Sequence, residues 1–372
     1  MSAGPVHRRP EVLLAGVGDD EIRRRCAGGT WRRVRRGVYT EQAVYADLGA
    51  AERHRLLIEA AVPGLSVEAI VSHLSAAVLY GAPVPVAELE RVCVTRNRRN
   101  GGRVRTDVRV HCARVDRVVE LGGLVVTTPA RTIVDLARTL PFEAAVVAGD
   151  AIARRFGVSA LDLEEELGTA KRRHGCTQAH RVAEFLDPHS ASIGESRSRV
   201  LFRHLGLPVP YSRGEVFTTG GRLVDHVDFY FPDTGVIGLF DQHRPTRAAA
   251  TDPATAHAAG THVAAAHASG PHAAGTHASG PHAAGTHATG SPATGTRAAR
   301  TDAAASRAAM RREESLRALG FHVVRWTAAE LPSPEIGARV RAALTRARRL
   351  NRAGYIHQAP LPTPQPLTIR AL

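Results

Sequence analysis

Lysine is almost absent from this chain of 372 residues: Lys171 is the only one, so arginine carries nearly all of the positive charge. Arginine stays charged in a protein, so such a surface attracts anions but offers no amine that can lose a proton and act as a base. Acids are too few to balance it. Lys+Arg total 49 against 35 Asp+Glu, a net charge of +14, which points to a polyanionic partner, nucleic acid ahead of an anionic membrane surface. Cysteine is scarce, and Cys26, Cys93, Cys112 and Cys176 form no Cys-x-x-Cys pair. That excludes a zinc knuckle or a disulfide framework and fits a reducing cytosol. No apolar run approaches the roughly 18 residues needed to span a bilayer, and Met1 to Pro10 lacks the apolar core of a signal peptide. A soluble, cytoplasmic protein with no membrane partner is expected. A length of 372 residues is enough for two or three domains with real cores, and hydrophobic residues at 44% sit near the globular norm, so most of the chain is expected to fold.

The overall pattern predicts a mixed α/β (α+β) chain. Glu11 to Gly16 reads as a short helix, and Asp19-Asp20-Glu21 opens a second that ends near Ala27-Gly28-Gly29. Trp31 to Tyr39 then mixes apolar and basic residues as a two-faced strand does. Helix, turn, helix and basic strand is the order of a winged helix-turn-helix, placed at 1–50. Between Glu21 and Thr40 stand seven arginines and one acid. Arg23, Arg24 and Arg25 lie on the second helix, and Arg32, Arg33, Arg35 and Arg36 flank the hairpin. In such a unit a helix enters the major groove of double-stranded DNA while the wing meets phosphates.

A mixed domain follows over 51–185. Ala50 to Val62 and Val67 to Leu79 have helical spacing, and Arg91 to Arg96 and Val108 to Val115 read as strands. Thr128-Pro129 caps a helix running through Leu140, and another helix follows Pro141. A third domain spans 186–346. Ser192 to Glu195 is a capping-box pattern before a helix reaching Leu205. Arg222 to Phe231 and Val236 to Asp241 are strands around the turn Pro232 to Gly235, Arg311 to Leu319 is a helix closed by Gly320, and Phe321 to Trp326 is a strand. The domain is interrupted at 247–309 by an Ala/Gly/His repeat with His257, His262, His267, His272, His277, His282 and His287 five residues apart. Val263 is its only large apolar side chain, so the repeat is expected to be disordered. Residues 347–372 form a basic, proline-containing tail.

Gly29-x-Trp31-x-Arg33-x-x-Arg36-Gly37-Val38-Tyr39 resembles the winged-helix region of the AbiEi-like type IV antitoxin family. Ser72-His73-Leu74-Ser75-Ala76-Ala77, Leu79-Tyr80-Gly81 and Thr127-Thr128-Pro129-Ala130-Arg131-Thr132 with Asp135-Leu136-Ala137 extend the likeness over about the first 180 residues. Taken on its own, His73 on an apolar helix reads as a core histidine. Gly194-Glu195-Ser196-x-x-Arg199, Val227-Asp228-Phe229 and Arg312-Glu313-x-x-Leu316-Arg317-x-x-Gly320-Phe321-x-Val323-Val324-Arg325-Trp326 resemble the very-short-patch-repair-like endonucleases of the restriction-endonuclease-like superfamily, which implies a three-layer domain.

That family cuts DNA with carboxylates that converge on Mg²⁺ and a lysine near the attacking water. By resemblance, Asp228, Asp241 and Glu195 would be the carboxylates. Glu195 is equally explained as the capping residue after Ser192, Asp225 reads as a surface residue, and Glu313 as a solvated helix charge. The chain departs from the family where Leu239 stands at the glutamate position, Gln242 at the glycine and Pro245 near the lysine. Arg244 supplies charge there but no titratable amine. The leading expectation is thus an antitoxin-like or transcriptional-regulator-like DNA-binding protein with a degenerate nuclease domain. It needs no cofactor, and its partners are double-stranded DNA and a toxin or a second copy of itself. The alternatives are an active Mg²⁺-dependent endonuclease using Asp228, Asp241, Glu195 and Arg244, and a metal-binding protein built on the histidine repeat.

Overall fold

The computed structural model describes residues 6–66, 68–98, 101–241, 308–347 and 352–372. The N-terminal unit folds around few side chains. Strand β1 (His7–Arg8) leads into α1 (Arg9–Leu14) and α2 (Asp19–Ala27), followed by the hairpin β2 (Trp31–Arg35) and β3 (Val38–Glu41). The three strands form an antiparallel sheet in the order β1-β3-β2. Helix α2 starts on Asp19, Asp20 and Glu21 and ends on Arg24 and Arg25, the charge order that the helix dipole favours. Its apolar stripe is thin, and Val12, Ile22, Trp31 and Tyr39 make the core. Helices α3 (Gln42–Asp47) and α4 (Ala50–Ala61) lead out of this unit, the second with Glu52 accepting the Gly49 N–H at 2.7 Å.

The middle unit is built on β4 (Ile70–Val71), α5 (His73–Leu79), β5 (Val92–Arg96), β6 (Arg103–Val104), β7 (Val108–Cys112), β8 (Arg117–Leu121) and β9 (Leu124–Thr127). Four helices follow: α6 (Pro129–Thr139), α7 (Phe142–Phe156), α8 (Ala160–Thr169) and α9 (Cys176–Ala183). Its core joins Val71, Val94, Val110 and Val126 of the strands to Ile133, Leu136, Val146 and Ile152 of the helices. The helical spacing read over 67–79 resolves into a strand at Ile70–Val71 and a helix that starts only at His73. A short apolar run has no period of its own, and here the neighbouring strands decide its form.

In the C-terminal unit, α10 (Ile193–His204) precedes the meander β10 (Tyr211–Thr218), β11 (Leu223–Phe231) and β12 (Val236–Asp241). Helix α11 covers residues 308–318, and β13 (His322–Thr327), α12 (Glu335–Ala347) and β14 (Gly354–Gln358) complete the unit. The sheet order is β13-β12-β11-β10-β14, with β12 and β13 parallel. Phe202, Phe229, Phe231, Val324, Trp326, Ile336 and Val340 fill the side under α10 and α12. Tyr230, Ile237, Leu239, Leu316, Phe321 and Val323 fill the side under α11. The result is helix, sheet and helix in three layers. Most of the histidine repeat, Gln242, Arg244 and Pro245 lie outside the described residues.

The proline-containing tail is an integral part of both larger sheets. Strand β14 pairs with β10, and the final strand β15 (Ile369–Ala371) pairs with β8, so the middle sheet runs β15-β8-β9-β4-β5-β7-β6. Between them Pro364 packs on Gly157, where an added Cβ would meet it at 2.6 Å, and the Arg155 side chain donates to Gln365 at 2.7 Å. No helix among the described residues is long and apolar enough to cross a membrane.

Candidate functional site

Three places collect the residues that the sequence singled out. The first is the arginine-rich N-terminal unit. Arg23 and Arg24 on α2 have 78% and 76% of their side chains exposed, and among the described residues their ion pairs are with Asp20 and Glu21 on the same helix. Exposed pairs of this kind contribute about 0–1 kcal/mol, so a phosphate can replace the carboxylate at little cost. Arg32, Arg33 and Arg36 are exposed on the hairpin, Arg32 lying over the Tyr45 ring at 5.2 Å. The other two arginines have structural partners. Arg25 stacks on Trp31 at 4.8 Å and pairs with Glu21, while Arg35 bonds Asp107 at 2.9 Å and the Ala61 carbonyl at 3.0 Å, fastening the wing to the middle unit.

The second is a buried polar network in the middle unit, and it accounts for the motifs found there. Thr128 caps α6 by accepting the Arg131 N–H, Thr127 and Thr132 share a hydrogen bond of 2.8 Å, and Arg131 grips Asp135 at 2.9 Å. Arg138 meets the same carboxylate at 3.2 Å. Burial works to raise the Asp135 carboxyl, but His73, Arg131 and Arg138 around it prevail and hold it below the usual range. His73 sits at φ +51°, a left-handed backbone uncommon outside glycine, with its ring stacked on His111 at 3.7 Å. Ser72 accepts the Thr95 hydroxyl, and the Ser75 hydroxyl accepts the Cys93 N–H at 2.8 Å. These side chains bond one another and hold α5 and α6 on the sheet. His73 is 5% exposed.

The third is a cleft of about 330 Å³ where α10 meets β11, lined by Arg154, Glu195, Arg213, His226, Asp228 and Arg312 among others. Glu195 is 5% exposed. Its oxygens accept the Ala191 N–H at 2.8 Å and the Ser192 hydroxyl at 3.0 Å, while Ser192 caps the Glu195 N–H. Asp228 accepts the Phe240 N–H at 2.8 Å. Burial pushes both carboxyls up. For Glu195 the charge of Asp228 adds to it, and for Asp228 the Phe240 N–H and Arg312 pull the other way. Arg312, from α11, is anchored on the Asp225 carboxylate and the His226 carbonyl.

The rest of the α10 motif is used for packing. Ser196 and Arg199 both donate to Asp150 of α7, at 2.7 and 3.1 Å, and Trp326 donates to Ser198 at 2.8 Å. At Gly194 an added Cβ would come within 2.0 Å of the Phe240 ring. Leu239 is 3% exposed and packs with Ile237, Leu316 and Val323. Asp241 is half-buried at the end of β12, in register with Thr327, and does not line the cleft.

A divalent ion needs several oxygen ligands. The cleft brings two carboxylates together, both already accepting hydrogen bonds, and the next acidic position of the family's pattern is leucine in the core. Among the described residues no group of three or more His, Cys, Asp or Glu is placed to hold a metal. This donor set does not fit the metal centre that the endonuclease resemblance implies.

Sequence reasoning passed over Arg154, Arg213 and His226 as site residues. Arg154 comes from α7 and reaches the cleft through tertiary packing alone, with no local pattern to mark it. Arg312 stood inside a quoted motif, four positions before Leu316, but nothing in the spacing tied it to Asp225.

No protein-family model matches the chain. It is similar to two uncharacterized proteins of Mycobacterium tuberculosis, one from strain CDC 1551 / Oshkosh and one from strain ATCC 25618 / H37Rv. Each is 30% identical over 117 residues, which is 32% of this chain and 43% of theirs. The chain thus spans less than half the length of the curated relatives it matches.

Proposed function

We propose that this chain is a DNA-binding protein, antitoxin-like or regulator-like, whose N-terminal two-helix and hairpin unit engages duplex DNA and whose C-terminal unit is a nuclease-like scaffold that does not cut. The observation that carries this reading is the set of exposed arginines Arg23, Arg24, Arg32, Arg33 and Arg36 on that small unit. They follow one another from helix to wing, the order in which such modules meet groove and backbone. A toxin, or a second copy of this chain, is the protein partner that the antitoxin resemblance suggests. Each phosphate neutralised by an arginine lowers the slope of log K against log salt by about 0.9. Replacing Arg32, Arg33 and Arg36 with alanine should therefore make the slope shallower by about 2–3 in a fluorescence-anisotropy titration. Unchanged affinity and slope in the folded variant would remove the N-terminal unit as the DNA-binding surface.

A second reading, a Mg²⁺-dependent endonuclease, is favoured by one observation: Glu195 and Asp228 converge in a single arginine-lined cleft. It predicts plasmid nicking that Asp228→Ala abolishes.

A further inference from the structure

Next to the carboxylate cleft, and sharing Arg154 and Ala191 with it, lies a larger cleft of about 960 Å³. Its walls are α7, the start of α10, the end of β12 and the tail segment between β14 and β15. Volumes up to about 1,000 Å³ are typical of sites that enclose a small organic group. The walls mix two chemistries. Val147, Ala151, Phe240 and Leu331 are apolar, whereas Arg154, Arg155 and Arg197 supply charge with no carboxylate among the lining residues.

The charged residues have unused capacity. Arg155 is held by Gln365 and the Tyr80 carbonyl, and Arg197 by Glu143. Arg154 donates to two carbonyls, those of Pro188 and His189, and pairs with no carboxylate among the described residues. Ser190, 2% exposed, lines the same cleft, and its hydroxyl is buried without a partner. Helix α10 opens here as well. Ser192 caps the Glu195 N–H, which leaves the N–H groups of Ile193 and Gly194, the first two residues of this 12-residue helix, for an outside acceptor.

An anion site next to apolar wall residues matches a nucleotide, which carries a phosphate and an apolar-faced base. We propose that this cleft receives one unpaired nucleotide of a bound DNA strand. Its phosphate lies at Arg154 and the α10 N-terminus, and its base lies against the wall around Phe240. The assignment rests on the DNA-binding reading. It favours a strand over a free nucleotide because Arg154 lines both clefts, and in the neighbouring one Arg213 and Arg312 stand beside the Glu195 and Asp228 carboxylates and offset their charge for a continuing strand. Taking a base out of a duplex costs free energy, and least where the base is already unpaired.

The full chain, titrated by fluorescence anisotropy in buffer without divalent ions, should bind a duplex carrying a single-nucleotide bulge about tenfold more tightly than the same duplex fully paired. Thr363→Trp, on the exposed tail wall, should bring the bulged duplex to the level of the paired one. Ala151→Trp fills the cleft from α7 and serves as an independent check, each variant being used only with a wild-type melting curve. Equal affinity of the wild type for both duplexes overturns the cleft assignment and leaves the DNA-binding reading standing. No binding of either overturns both. A preference that survives both tryptophans overturns the location, and binding of free deoxyadenosine monophosphate without a bulge preference overturns the assignment to a DNA strand.

Discussion

A carboxylate buried beside another carboxylate disfavours its own charge, and the compensation at Asp228 is modest. It receives one backbone N–H, from Phe240, and the field of an arginine that already holds Asp225. Its raised pKa means that the ionised form is worse off in the fold than in the unfolded chain, so its contribution to stability falls as pH rises past its ordinary value. Asp228→Asn keeps an oxygen for the Phe240 N–H and removes the charge. Thermal unfolding at neutral pH should therefore show this variant more stable than the wild type, by about 1 kcal/mol. A clear loss of stability would mean that the Asp228 charge holds the fold together. The same cleft shows how far single residues were legible. Asp228 and Glu195 were found through their motifs, and Leu239 stood out as an apolar residue at an acidic position. Arg154 was invisible, because its role depends on α7 packing against α10.

Elements with strong local signals were read well. Asp19 to Glu21 in the first turn of α2, Thr128-Pro129 at the start of α6 and Ser192 before α10 mark helix starts through caps and charge, and each helix begins there. Strands β1, β4, β6, β8, β9, β14 and β15 were not read, because two to five residues carry too little periodicity; the eight-residue β10 was missed as well. The contact of α5 with β7 adds a pH dependence at this scale. Burial first, and His73 second, push the His111 imidazole down to about 3. Burial also lowers His73, against the pull of Asp135. Arg109 and Arg138 disfavour the cationic form of His111 further. The unfolded chain takes up these protons near the ordinary value of about 6.5, so it binds more protons than the fold below that pH. The melting temperature should accordingly fall as pH drops from neutrality toward 5. His111→Phe, which keeps a ring against His73, should lessen that fall. A pH-independent melting temperature, or an undiminished fall in the variant, would contradict the neutral stack.

At the scale of the whole molecule, composition alone showed an arginine-charged protein and raised the expectation of a polyanionic partner. The way the units join was beyond it. Arg35 and Asp107 tie the wing to the middle unit, the Asp150–Arg199 pair ties α7 to α10, and the final residues run from the edge of one sheet to the edge of the other. Positive charge thus lies both on the N-terminal unit and along the clefts beside α10, while the carboxylates available for metal chemistry number two in the cleft. The proposal that the protein holds DNA and leaves its backbone whole rests on this combination. The most direct measurement is incubation of the purified full chain with supercoiled plasmid in Mg²⁺ and in Mn²⁺, followed on a gel. Plasmid that is retarded by bound protein, and fully supercoiled once the protein is removed, is the predicted result. Nicked or linear product that disappears with Asp228→Ala would contradict it.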